Sequence, residues 1–146
     1  MLFWPSTPYG DAAAPRLRIT TAGGSIPNEL PFVTWATANG VAGITPTSDE
    51  DRDGIAALVE YALGLKPKAA DILPGLIRNG EQLSIVFPKG MPAATDPRVR
   101  YRILGSPDLQ IWTEETPTVN DAAVISIEQP VAAARKFFRL ELTYSP

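Results

Sequence analysis

Three aspartates on alternate positions, Asp49, Asp51 and Asp53, are followed directly by Gly54 and then, beyond five residues, by Glu60. The run Asp49-Glu50-Asp51-Arg52-Asp53-Gly54-Ile55-Ala56-Ala57-Leu58-Val59-Glu60 fits the template D-x-[DN]-x-[DN]-G-x5-E at every specified position. Alternate carboxylates can fold toward one point if the chain turns sharply, which Gly54 permits. A hard divalent cation that takes six to eight oxygens at about 2.3–2.6 Å would satisfy such a set. On the template Asp49, Asp51 and Asp53 each supply a carboxylate, Ile55 a main-chain carbonyl and Glu60 a bidentate carboxylate. Position nine is Ala57, so any ligand there is water. The expected metal ligands are therefore Asp49, Asp51, Asp53, Ile55 and Glu60, and the expected cofactor is Ca²⁺. A plainer reading makes Asp53 the N-cap of the following helix, worth about 1 kcal/mol. Capping needs only one Asp. Asp49, Glu50, Asp51 and Asp53, relieved by Arg52 alone, would repel one another without a cation. The two readings are compatible, because the loop runs straight into the helix.

The elements that must position this loop are few. With 146 residues, 45% hydrophobic and 20% charged, the chain can bury one core and at most a small second unit. A net charge of −3 offers no basic patch for nucleic acid. There are no cysteines and no histidines, which removes disulfides, thiolate metal sites, the commonest general base and the Ser-His-Asp arrangement. An enzyme would then need a carboxylate pair, yet Asp and Glu cluster only in the acidic loop. No apolar run is long enough to span a membrane. The opening Met1-Leu2-Phe3-Trp4-Pro5 lacks a basic n-region and does not read as a signal peptide.

Three segments are expected: an extended arm over 1–28, a helical loop unit over 29–70 and an antiparallel sandwich or barrel over 71–146. The arm is punctuated by Pro5, Pro8, Pro15 and Pro27, holds one strand near 16–20, and carries Leu2, Phe3, Trp4 and Tyr9, which must pack on something. Asn28 and Pro31 open a helix with Phe32, Trp35 and Ala36 at helical spacing, ended by Asn39-Gly40. Pro46 argues against a long helix entering the acidic loop. The exiting helix carries Ile55, Leu58, Val59, Ala62 and Leu63 on one stripe, with Gly64 as its stop. Beyond residue 72 the period falls to two, with about six strands expected near 75–78, 82–87, 98–104, 111–114, 122–128 and 136–143. Asn79-Gly80 marks a hairpin. The fold class is mainly β with a small α part.

Phe32-x-x-Trp35, the acidic loop, Glu60-Tyr61-Ala62-Leu63-Gly64-Leu65-x-Pro67, Tyr101-Arg102, Ser106-x-Asp108-Leu109-x-x-Trp112 and Phe137-Phe138-Arg139-Leu140 form one pattern. Over about 30–144 it resembles a module near the ends of large secreted or surface proteins of environmental bacteria: a calcium loop like those of dockerin and thrombospondin type 3 repeats, followed by a β-sandwich-like unit. The resemblance implies an extracellular or cell-surface location and a structural or attachment role, with no catalytic residues to carry over. Ala56-Ala57 stands where such modules often have Ser or Asn.

Two functions are expected from this. One is a self-assembling structural subunit whose partners are other copies of itself, the arm strand adding to a neighbour's sheet edge by donor-strand exchange to build a fibril. The same strand can instead fold back on its own domain. The other is a carbohydrate-binding or envelope-sorting module, with surface glycans stacked on Trp35, Trp112, Phe137 and Phe138; at strand and helix core spacing, core packing is the favoured reading of those aromatics. Alternating Arg98, Arg100 and Arg102 read as a solvated face.

Overall fold

The structure is a computed structural model that describes residues 31–145 in full and the backbone of 19–21. Leu2, Phe3, Trp4, Tyr9, the 16–18 part of the expected arm strand and the Asn28 helix start lie outside the described residues.

Two open four-stranded sheets face each other. The first has the order β1 (Ile19–Thr21), β8 (Phe137–Tyr144), β4 (Val99–Ser106), β5 (Thr113–Glu115). The second has the order β2 (Ile77–Asn79), β3 (Gln82–Pro88), β7 (Val124–Pro130), β6 (Val119–Asn120). Neither closes into a barrel, which settles the sandwich-or-barrel alternative. All pairings are antiparallel except β1 on β8, which is parallel. The two-residue strand β6 brings the number over 71–146 above the six expected from periodicity, because so short a pairing leaves almost no periodic trace.

Alternation explains which faces meet. Val99, Tyr101 and Ile103 of β4 lie opposite Tyr144, Leu142 and Leu140 of β8, and all but the half-buried Tyr101 are buried. Phe87 and Ile85 of β3 lie opposite Ile125 and Ile127 of β7 and supply the other half of the core. Arg102 and Glu141, on the outward side of the first sheet, are cross-strand neighbours and form an ion pair. Arg102 also meets Glu114 at 3.2 Å, so this face is charge-paired.

Helices α1 (Pro31–Ala38) and α2 (Ala57–Leu63) pack at one end of the sandwich. The expected 3.6-residue spacing holds in α1, where Phe32, Trp35 and Ala36 are buried. The Phe32 ring meets Tyr61 of α2 edge-on at 5.4 Å and Tyr144 of β8 at 6.0 Å, so one aromatic ring joins both helices to the sheet. Every residue of α2 is buried, including Glu60.

Candidate metal centre

The acidic loop lies between α1 and α2. Its shape comes from side chains that bond their own backbone. Asp49 Oδ1 accepts from the Arg52 amide at 2.8 Å and Asp49 Oδ2 from the Gly54 amide at 3.0 Å. Asp51 Oδ1 accepts from the Asp53 amide at 3.2 Å, and Asp53 Oδ1 from the Ile55 amide at 2.7 Å. Such Asx bonds curl the chain around its carboxylates. The curl needs left-handed backbone at two places: Gly54, at φ +89°, adopts it freely, and Arg52 adopts it at φ +64°.

One carboxylate oxygen each from Asp49, Asp51 and Asp53 comes within 4.8 Å of the others, and this trio is able to hold a metal ion. Glu60 and Ile55, the remaining residues of the template, are not in the trio. Ile55 lies on the loop with its side chain in the core at 5% exposure, and no described donor reaches its carbonyl.

Glu60 is the distinctive group of the site. It is 1% exposed, and neither Oε1 nor Oε2 has a hydrogen-bond partner. Asp51 Oδ2 is also buried without a partner. Burial first, then the negative charges of Asp51, Asp53, Asp49 and Asp71, push the Glu60 carboxyl from its ordinary 4.5 up to about 8. Burial is also the main cause that raises Asp51, with Asp53 and Asp49 adding repulsion. A buried carboxylate without a counter-charge is unfavourable by several kcal/mol. Asp51 Oδ2, itself part of the trio, and the two Glu60 oxygens are thus three buried acceptors with no donor.

The helix carrying Glu60 is fixed at both ends. Asp53 does not cap it, contrary to the plainer expectation. The residue preceding the helix is Ala56, and no side chain caps it. The first free amides go instead to main-chain carbonyls of the loop before the site: Ala57 N–H donates to Ser48 O at 2.7 Å and Leu58 N–H to Pro46 O at 3.0 Å. Asp53, one of the trio, instead accepts from the Ile55 and Asp71 amides. The expected helix over 55–63 accordingly begins two residues late. At the far end Gly64 takes a left-handed conformation at φ +73° and closes the helix by donating to Glu60 O.

Three contacts then dock α2 on the sandwich. Gly90 N–H donates to Ala62 O at 2.7 Å, Tyr101 Oη donates to the same carbonyl at 2.6 Å, and Tyr61 Oη donates to Asp96 Oδ2 at 3.0 Å. The Asp96 side chain is fully buried and also meets Arg98 at 3.3 Å. Sequence reasoning found no partner for Asp96, because its partner lies 35 residues away and no spacing rule links them. It also missed Asp71, whose amide donates to Asp53 Oδ2 at 2.8 Å.

The aromatic residues considered as a stacking platform are divided among different surroundings. Trp35 lies in the core, 5.4 Å from Tyr61. Trp112 is half-buried beneath the Arg139 guanidinium at 3.9 Å, while Phe137 and Phe138 are faced by Arg135 and Lys136. Ser106 and Asp108 form a self-bonded turn: Asp108 Oδ1 accepts from the Gln110 and Ile111 amides. Among the described residues no helix is long and apolar enough to cross a membrane. No protein-family model matches this chain, and no curated protein or solved structure does either.

Proposed function

We propose that the chain is a non-enzymatic, calcium-stabilised structural subunit of an extracellular or cell-surface assembly, in which the N-terminal strand of one copy completes the sheet of the next. The observation that carries the metal part is the set of three buried carboxylate oxygens without a donor: Glu60 Oε1, Glu60 Oε2 and, within the aspartate trio itself, Asp51 Oδ2. A cation offsets the repulsion that would otherwise strain the pocket. An all-oxygen set with no nitrogen or sulfur ligand suits a hard cation. A bidentate buried Glu suits Ca²⁺ better than Mg²⁺, which keeps its waters and demands a tighter octahedron. Weak sites of this kind fill where free calcium is abundant, outside the cell.

The assembly part draws on β1. It contributes three residues to the β8 edge, in the register Ile19↔Leu142, Thr20↔Thr143, Thr21↔Tyr144. Between β1 and α1 the sequence holds Gly23, Gly24 and Pro27. The same three pairings made with a neighbour's β8 preserve every contact of the edge, so exchange between copies costs little and, left unclosed, propagates into a fibre.

The chain has no cysteine, so a Thr20→Cys, Thr143→Cys double variant reports the pairing directly. Oxidation of purified material giving a ladder of covalent multimers on a non-reducing gel supports exchange. Intramolecular closure alone, at all protein concentrations, refutes it.

A further inference from the structure

We propose that Asp71 is a positioning residue for the cation of the acidic loop, one that acts by holding Asp53 rather than by binding the ion. The inference rests on the metal reading above. The buried and unpartnered Glu60 carboxylate, independent of anything Asp71 does, marks that loop as a ligand site.

Asp53 is held at both oxygens. Its Oδ1 accepts from the Ile55 amide at 2.7 Å, a bond within the loop. Its Oδ2 accepts from the Asp71 amide at 2.8 Å, a bond from chain that has already traversed α2 and turned back. That return is organised by the Asp71 side chain, whose Oδ2 accepts from the Lys66 amide at 2.7 Å and closes the turn between them. Removing the side chain opens the turn, and the Asp71 amide then loses its fixed place opposite Asp53.

A carboxylate that receives one N–H at each oxygen cannot rotate, yet keeps a lone pair on each for a metal. Pre-orientation of this kind lowers the ordering cost of binding. Outer partners that orient a ligand typically contribute about 10–100-fold to metal affinity. The arrangement also explains why Asp71 escapes the loop template: it acts through its main chain and its cap, so its distance along the sequence from Asp53 is unconstrained.

The test uses calcium titration calorimetry on the full chain, with circular dichroism to verify folding. The variants Asp71→Ala, Asp71→Asn and Asp71→Glu separate cap from charge. Asn keeps an oxygen able to accept from the Lys66 amide and removes the charge. Glu keeps the charge but is one methylene too long for the same turn. Asp71→Ala and Asp71→Glu are expected to weaken calcium binding about tenfold, while Asp71→Asn stays within about threefold of the unaltered chain. If Glu binds as well as the unaltered chain while Asn is weak, Asp71 acts through its charge and the proposal fails. Asp71→Ala binding as the unaltered chain does overturns it equally. Should Asp71→Ala not fold, the order of Asn and Glu decides alone. An unaltered chain that gives no heat overturns the metal reading itself, and this inference with it.

Discussion

The Gly90 amide donates to the Ala62 carbonyl at 2.7 Å, so the loop leaving β3 rests on the last turn of the helix that carries Glu60. Approach this close is open only to glycine. A Cβ on Gly90 would stand 2.6 Å from both Gly64 Cα and the Tyr61 carbonyl, all of them backbone atoms with no room to yield. The acidic loop, α2 and the second sheet are thus mechanically continuous.

Gly90→Ala is therefore expected to destabilise the chain by about 3 kcal/mol, the upper part of the usual overpacking range. Urea unfolding with a lowered midpoint and an unchanged slope checks it. The same substitution at Gly75, where an added Cβ meets nothing within 4 Å, serves as the control and should change little.

Tyr61→Phe tests the second anchor. Its hydroxyl donates to Asp96, whose side chain has no exposure to water. Loss of that donor leaves Asp96 Oδ2 buried without this bond, at a cost of about 1–3 kcal/mol. Calcium affinity should change far less, since the hydroxyl faces the sandwich and not the loop. A large loss of affinity with unchanged stability would contradict this division.

Glu60 gives the pH dependence. Its carboxyl is raised from 4.5 to about 8 in the folded, metal-free chain, so the folded state holds a proton that the unfolded state releases. Stability from this group is then full below about pH 4.5 and falls as pH rises toward 8. The loss is of the order of a few kcal/mol. In EGTA the melting temperature should be lower near pH 8.5 than near pH 5.5, and Glu60→Gln should flatten the difference. With calcium the sense reverses. Binding displaces the proton, so affinity rises over the same interval and levels off above it.

Much of this architecture is legible in the sequence, for physical reasons. Strands β3, β4 and β8 each carry an alternating pattern long enough to be read, and the expected 82–87, 98–104 and 136–143 lie close to the observed bounds. The alternation that sets Arg98, Arg100 and Arg102 on a solvated face leaves Val99, Tyr101 and Ile103 on the other, which is the face that packs in the core. The expected strand at 111–114 slid to Thr113–Glu115 because the Ser106–Asp108 turn and its bonds extend through Ile111. The aspartate trio was readable because its residues are near neighbours. What bonds across distance was not: Asp96 with Tyr61, Asp71 with Asp53, Gly90 with Ala62. The start of α2 was misplaced because main-chain carbonyls of Pro46 and Ser48 cap it, and a carbonyl has no sequence signature.

Calcium itself is expected to raise the melting temperature, since an ion bound only by the folded chain adds about 2.7 kcal/mol at a hundredfold excess over its Kd. The gain should vanish in Asp51→Asn, which alters one of the three buried unpartnered oxygens without shortening the side chain.

The central claim is that one divalent ion occupies the space between the aspartate trio and Glu60. Calorimetric titration of calcium into chelator-stripped protein tests it most directly, run in parallel on the unaltered chain and on Glu60→Gln. The account expects saturable heat with one ion per chain, and at least a tenfold weaker response in the variant. No heat from the unaltered chain, or an isotherm that Glu60→Gln leaves unchanged, would contradict it.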